Sequence, residues 1–169
     1  MNAPTMVSPV LLPPTIAVAG QGPVLRAFGE EIIIHLDGKR TGGALSLWTE
    51  ITPPGGGPPP HYHLKEDECF VVQEGRLQFL VEGQWRAVAA GGIVFAPRGS
   101  VHAFKNIGNQ PSRILISTSP AGFEIFFSRC AEEFAKPSGP DMERILAISA
   151  EHGIHFVQPE ESQKTPGKT

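Results

Sequence analysis

Cysteine is nearly absent, with two in 169 residues. A disulfide framework is therefore excluded as the scaffold of a chain this long. Cys69 falls in an apolar, strand-like run and Cys130 on the apolar face of a helix. Both are read as buried thiols in a reducing compartment. Charge is also sparse: 18% of residues are charged and the net charge is -3. That balance gives no electrostatic footprint for nucleic acid or for an anionic membrane. No basic segment followed by a long apolar run opens the sequence, since "VLLPPTIAVAG" is broken by Pro13 and Pro14. Neither a secretory signal nor a spanning helix is read there, and the cytoplasm is the expected location. There is no repeat of solenoid length. There is no phosphate loop either, because "PGGGPPP" at 54–60 lacks the Lys and Ser/Thr that hold phosphate and magnesium. No helix-turn-helix candidate precedes the strand-rich centre.

Glycine (19) and proline (17) are abundant. Their distribution fits many short strands joined by turns and argues against a helical bundle. Strands are expected over 24–36, broken near Gly29, and over 44–51, 77–81, 85–88, 93–96 and 113–118. Asp37-Gly38 reads as a turn. In 44–51, Leu45, Leu47, Thr49 and Ile51 share one face, and Ser46, Trp48 and Glu50 share the other. The pattern predicts an all-β core, an antiparallel sheet closed or nearly closed on itself. The period then changes. Phe123, Phe126, Phe127, Cys130 and Phe134 recur at helical spacing, which predicts an amphipathic helix packed on the outside of a sheet. A second helix is expected over "MERILAISAEH", with Ser138 and Asp141 as a capping box and Gly153 near its end.

Two clusters carry the chemistry. In the first, "PPGGGPPP" leads directly into His61 and His63. It can only be a structured turn that sets the angle of the next strand. Residues i and i+2 of a strand face the same way, so both imidazoles can reach one point. Glu68 follows in the resumed strand, and His102 arrives one hairpin later behind a second Pro-Gly turn, Pro97-Arg98-Gly99. Three imidazoles and one carboxylate suit iron, manganese, nickel, zinc or cobalt, and suit calcium or magnesium poorly. On an octahedral ion two positions stay open, as catalysis requires.

Gly55, His61, His63, Glu68 and Gly75, and then Gly91, Pro97, Gly99, His102 and Asn106, match at every spacing the two motifs of the cupin superfamily, which the chain thus resembles. The resemblance implies a double-stranded β-helix, a jelly-roll barrel, with one or two C-terminal helices. It implies that His61, His63, Glu68 and His102 bind a divalent transition metal. The expected division is an N-terminal arm over 1–14, the barrel over 15–120, a helical extension over 121–157 that caps the barrel or packs a dimer, and a flexible tail over 158–169. The short stretch between the motifs implies the compact single-domain type, similar to quercetin-type dioxygenases. That likeness implies an oxygenase acting on a small enol, catechol or flavonoid-like substrate, with Glu68 as catalytic base. Two alternatives stay open: a non-catalytic metal or small-ligand binder, and a metal-dependent isomerase. A homodimer is the expected assembly, with a small molecule as partner.

Neighbouring residues are assigned structural places. Glu66 and Asp67 are expected in a solvent-exposed turn, and Arg98 on the surface. His35 is expected to be a satisfied core or edge histidine. Tyr62 and Leu64 have the parity opposite to the paired histidines and should point away from them. Phe70, Phe79, Phe95 and Phe104 are candidates for core packing and for an apolar cavity wall. His152 and His155 are not counted as ligands.

Overall fold

The computed structural model describes residues 12–18 and 20–157. The arm expected over 1–14, except for its last three residues, and the tail expected over 158–169 lie outside the described residues. In chain order the elements are β1 (Val24–Ala27), β2 (Glu30–Leu36), α1 (Gly38–Thr41), β3 (Ser46–Thr52), β4 (His61–His63), β5 (Asp67–Glu74), β6 (Arg76–Val81), β7 (Gln84–Ala89), β8 (Ile93–Ala96), β9 (His102–Asn106), β10 (Ser112–Ser119), α2 (Phe123–Phe134), α3 (Met142–His152) and β11 (Ile154–Phe156). The expected turn at Asp37-Gly38 is instead the start of α1. Asp37 caps it, its side chain accepting from the Arg40 backbone N–H at 2.8 Å.

The strands form two antiparallel sheets. One runs β1-β2-β3-β10-β5-β8 and the other β11-β4-β9-β6-β7. The closed jelly-roll barrel expected from the strand pattern does not form. Hydrogen bonding does not pass from one sheet to the other, and each keeps two edge strands. Nor is the chain all-β, because α2 and α3 contribute directly to the core. Phe123, Phe126, Phe127, Cys130, Ile145 and Ile148 belong to the same buried cluster as Trp48, Phe70, Phe79 and Ile114. The aromatic stripe of α2 thus turns inward, where packing on the outside of a sheet was expected. Phe123 stacks on Trp48 with ring centroids 5.3 Å apart, and Phe127 meets Trp48 edge-on at 5.4 Å. Burying each ring fully contributes roughly 2–3 kcal/mol, and an outer sheet face would bury less of it.

The cap of α3 is Asp141, whose carboxylate accepts from the backbone of Glu143 and Arg144. Ser138 plays no part in it. Gly153, with φ of 81°, ends the helix in the left-handed conformation. β11 then returns alongside β4, with Ile154 opposite His63 and Phe156 opposite His61. Cys130 is buried as expected, whereas Cys69 is only half-buried, and both are free thiols.

The glycine-proline segment before β4 is held as a strand-like partner of β9. Gly55 N–H donates to Asn106 O at 2.8 Å, and Asn106 N–H donates to Gly56 O at 2.9 Å. A Cβ at Gly57 would lie 2.1 Å from Phe104 O, so only glycine fits there. Asn106 also locks three chain segments by its buried amide. Its Nδ2 donates to Thr52 O at 2.9 Å and to Gln110 O at 2.8 Å, and its Oδ1 accepts from Gly108 N–H at 2.9 Å. Asn106→Ala leaves these backbone groups unpaired and should destabilise the fold by about 3 kcal/mol, measured by urea unfolding. A loss below about 1 kcal/mol would show that the amide does not anchor the turn.

Candidate metal centre

β4 presents His61 and His63 on one face, both buried, with Tyr62 and Leu64 directed elsewhere as expected. Tyr62 stacks on His155 at 5.2 Å, and Leu64 is exposed. β9 pairs with β4 at a single position, His61 opposite His102, so the third imidazole comes from the next strand of the same sheet. Glu68 comes from β5 in the other sheet. One ligand atom from each of His61, His63, Glu68 and His102 lies within 4.8 Å of all the others. The sequence-predicted set is therefore brought together completely, between the two sheets.

The ring nitrogens show how the site is poised. His61 Nδ1 lies 2.9 Å from Pro59 O, and His102 Nδ1 lies 3.0 Å from Ser100 O. A proton on each Nδ1 satisfies those carbonyls and leaves Nε2 as the free lone pair, the usual way a ligating imidazole is oriented. His63 is 1% exposed, and neither of its ring nitrogens has a hydrogen-bond partner. A buried polar group without a partner costs about 1–3 kcal/mol, and a divalent ion is the partner the surrounding donor set suits. Glu68 Oε2 stands 3.0 Å from His102 Nε2 and 3.7 Å from His63 Nε2.

Burial is the main cause that depresses His61 to about 3 and His63 to about 2, with positive charge on neighbouring imidazoles adding to it. His102 behaves differently. Burial works against its charge, but the hydrogen bond and negative charge of Glu68 outweigh that and raise it above its ordinary value. Burial thus favours neutral His61 and His63, ready to ligate, while Glu68 favours the charged form of His102, whose Nε2 must give up that proton before it ligates.

The other singled-out residues fall as follows. His35 Nε2 is satisfied by Thr49 Oγ1 at 2.8 Å. Arg98 is exposed as expected, and pairs with Asp67 at 2.9 Å. Glu66 and Asp67 do not lie in an exposed turn. Glu66 is 6% exposed, and Asp67 is half-buried because it clamps both the backbone and side chain of Arg98. Phe95 is exposed on the outer face of β8 and lines nothing. Phe70 and Phe104 do line a cavity, while Phe79 packs behind them in the core. His152 contacts Arg129 and Phe126, away from the cluster.

That cavity, of about 260 Å³, opens onto His61 and Glu68. Trp48, Phe70, Phe104, Phe123, Phe126 and Phe127 supply most of its wall, and Met142, Ile145 and Leu146 of α3 close one side. Sequence reasoning missed Trp48 and the α2 stripe as lining. The shared parity of Trp48 and Glu50, opposite to the aliphatic face of β3, was the available signal.

Residues 48–118 match the family model described as a cupin domain. The structure is similar to that of KdgF from a Halomonas species, with a TM-score of 0.60 and 18% identity over 67% of this chain and 99% of that one. At that identity the likeness concerns the fold. An uncharacterised protein of Aquifex aeolicus is 34% identical over 62 residues, which are 37% of this chain and 50% of that one. The tetracenomycin polyketide synthase protein TcmJ of Streptomyces glaucescens is 33% identical over 67 residues, 40% of this chain and 45% of that one. The chain thus spans about half the length of these curated relatives. Residues 48–118 thus match a cupin domain model, the fold is similar to that of KdgF, and the four buried side chains form a metal-binding type of site.

Metal uptake should follow the imidazole protonation. Below the raised value of His102 and above about pH 4, where His61 and His63 are already neutral, each Zn²⁺ bound should displace about one proton. Above the His102 value it should displace none. Calorimetric titration in two buffers of different ionisation enthalpy reads that number, and a release of two or more protons at pH 6 would contradict the assignment. His63→Ala should weaken Zn²⁺ binding by at least about 100-fold, since even loss of a supporting residue behind a ligand costs 10–100-fold.

Proposed function

We propose that this protein is a metal-dependent cupin enzyme with oxygenase chemistry on a small, planar, enolisable or catechol-type substrate. The observation that carries the reading is the join between an aromatic-walled cavity and the polar end formed by His61 and Glu68. A flat, largely apolar molecule gains from stacking on Trp48, Phe70 and Phe123, and oxygens at its leading end would meet His61 and Glu68. An iron, manganese, nickel, zinc or cobalt ion held by His61, His63, Glu68 and His102 would supply Lewis acidity and, for the redox-active metals, a route to dioxygen.

The chain's own groups supply the rest. Glu68 is the candidate base, since it borders the cavity and its Oε2 already shares a hydrogen bond with His102 Nε2. A proton from an enol or catechol hydroxyl can pass to a carboxylate oxygen of Glu68. The rings of α2 exclude water from the cavity, and α3 closes it. The name of the matched TcmJ protein links it to a polyketide synthase, and polyketides, with alternating carbonyl and methylene carbons, are readily enolised. That supports the substrate class proposed here. A sugar isomerase would need a wall rich in hydrogen-bond donors, which this lining does not offer.

The expected partner is a small molecule. Among the described residues no helix is long and apolar enough to cross a membrane. A homodimer through the outer face of the six-stranded sheet is part of the proposal, supported by Ile93 and Phe95, 67% and 57% exposed on the edge strand β8. Light scattering should give twice the chain mass, and Phe95→Lys should shift it to the monomer. A wild-type monomer at micromolar concentration would remove this element.

Oxygen consumption tests the enzyme reading. Protein loaded with iron, nickel or manganese should consume dioxygen with at least one of a panel of flavonols, catechols and β-diketones. Glu68→Gln should lower kcat by about 100-fold in protein whose metal content is matched to wild type. No uptake across the panel with all three metals would favour the non-catalytic binder.

A further inference from the structure

The cavity has a second polar place, away from the metal cluster. Glu30 on β2 and Glu50 on β3 both line it, and they are 8% and 3% exposed. The strand register explains their meeting. Ile32 lies opposite Glu50 and Glu31 opposite Ile51, so Glu30 is the diagonal inward neighbour of Glu50. Neither carboxyl takes part in an ion pair among the described residues. Trp48 Nε1 donates to Glu50 Oε2 at 3.2 Å, while Glu30 Oε1 has no hydrogen-bond partner.

Two buried carboxyls without a cation cannot both stay ionised at modest cost. Burial pushes Glu30 up to about 7, with the nearby Glu50 carboxyl and Thr52 hydroxyl pulling the other way. Burial first, and then the charge of Glu30, raises Glu50 as well. Aliphatic side chains at these two inward positions would pack at no such cost. The pair therefore holds a proton, and it can both donate and accept a hydrogen bond.

Its place relative to the metal cluster is fixed by the sheet. Glu68 lies opposite Thr118, which lies opposite Ser46. Glu50 is four residues further along β3, a backbone displacement of about 14 Å at roughly 3.4 Å per residue, though the charge of Glu68 still reaches its carboxyl. Trp48, Ile116 and Phe70 fill the row between them, all lining the same cavity.

We propose that Glu30 and Glu50 form a ligand-positioning carboxyl pair at the far end of the cavity. The pair hydrogen-bonds the distal hydroxyl of an elongated aromatic molecule whose hydroxy-ketone or catechol end faces His61, His63, Glu68 and His102. The metal-facing half of this assignment rests on the function proposed above; the carboxyl pair is independent of it. The ligand class is then narrower than any enol: two oxygen-bearing ends joined by a flat apolar middle. Smaller substrates without the distal hydroxyl would leave Glu30 Oε1 unpaired.

Two probes test this with zinc-loaded protein, 3-hydroxyflavone and its 4′-hydroxylated analogue. Wild type should bind the 4′-hydroxylated flavone at least about tenfold more tightly, the gain expected of one hydrogen bond to a charged group. In Glu30→Gln and Glu50→Gln the ratio should collapse to within about twofold, with 3-hydroxyflavone itself bound as in wild type. Gln preserves the shape and removes the buried charge, so both variants should fold; far-ultraviolet circular dichroism checks this. Infrared spectra at neutral pH should show a protonated carboxyl in wild type whose band shifts in each variant, where a single buried carboxyl remains. A wild-type ratio near one, failure of both flavones to bind, or a preference that survives both substitutions would overturn the pair's role. The metal-facing end is read separately from the absorption shift that chelation of the hydroxy-ketone causes. That shift can be absent while the hydroxyl preference persists, so the two readings fail independently.

Discussion

Three imidazoles and a carboxylate share a buried space between two sheets, and the surrounding protein leaves them short of partners. His63 has neither ring nitrogen satisfied although it is almost fully enclosed. Among the described residues the Glu68 side chain has only His102 within hydrogen-bond distance. Such a constellation is unfavourable as a piece of hydrophobic core, because each unpaired buried group costs free energy that nothing nearby returns. It becomes favourable when a divalent ion occupies the point on which the lone pairs converge. Much of the local backbone serves that convergence. Gly57 lets one strand press against Phe104. Asn106 ties the turn to β3 and to the loop after β9. Pro59 O and Ser100 O fix which nitrogens of His61 and His102 face inward.

The openness of the two sheets is the second constraint. A sheet that closed on itself would fill its interior with its own side chains. Here the sheets stay apart, and α2 reaches both through Phe123, which meets Trp48 of one and His63 of the other. The helix brings Phe123 and Phe127 against Trp48, and α3 follows with Ile145 and Ile148. Phe123 also stacks against His63 at 4.9 Å. The same helix that completes the hydrophobic core thus forms one wall of the metal cluster, so packing and chemistry meet in one residue.

The ligand set was readable from the sequence because it depends on local rules. Alternation along a strand places His61 and His63 together, and proline-glycine turns mark where His61 and His102 enter. The boundaries of β1, β2 and α3 were readable for similar reasons. What escaped was decided by long-range packing. A helical aromatic stripe states that one face is buried, but does not say whether it meets the outside or the inside of a sheet. Closure of the strands depends on the pairing of edges, which no local signal carries. Glu66 looked like a turn residue because it stands in "LKEDE", yet the clamp between Asp67 and Arg98 folds that segment against the protein. Glu50 shares a face of its strand with Trp48 in the sequence, and nothing local marks Glu30. Only the register of β2 on β3 shows that both turn inward.

This division between local and long-range information also bears on how far relatives inform function. The cupin match ends at residue 118, and α2 begins at Phe123. The whole metal shell falls inside the matched span. Phe123, Phe126, Phe127, Met142, Ile145, Leu146 and Phe156, much of the cavity lining, fall outside it, as do Phe28 and Glu30. A relative that shares the shell therefore shares the capacity to hold an ion, and with it a range of reactions. It need not share the shape or polarity of the space in front of that ion. The space in front of the metal shell is built in good part by segments that flank the matched span on both sides. It follows that the cavity-lining residues of β2, α2 and α3 discriminate between activities more sharply than the four ligands can.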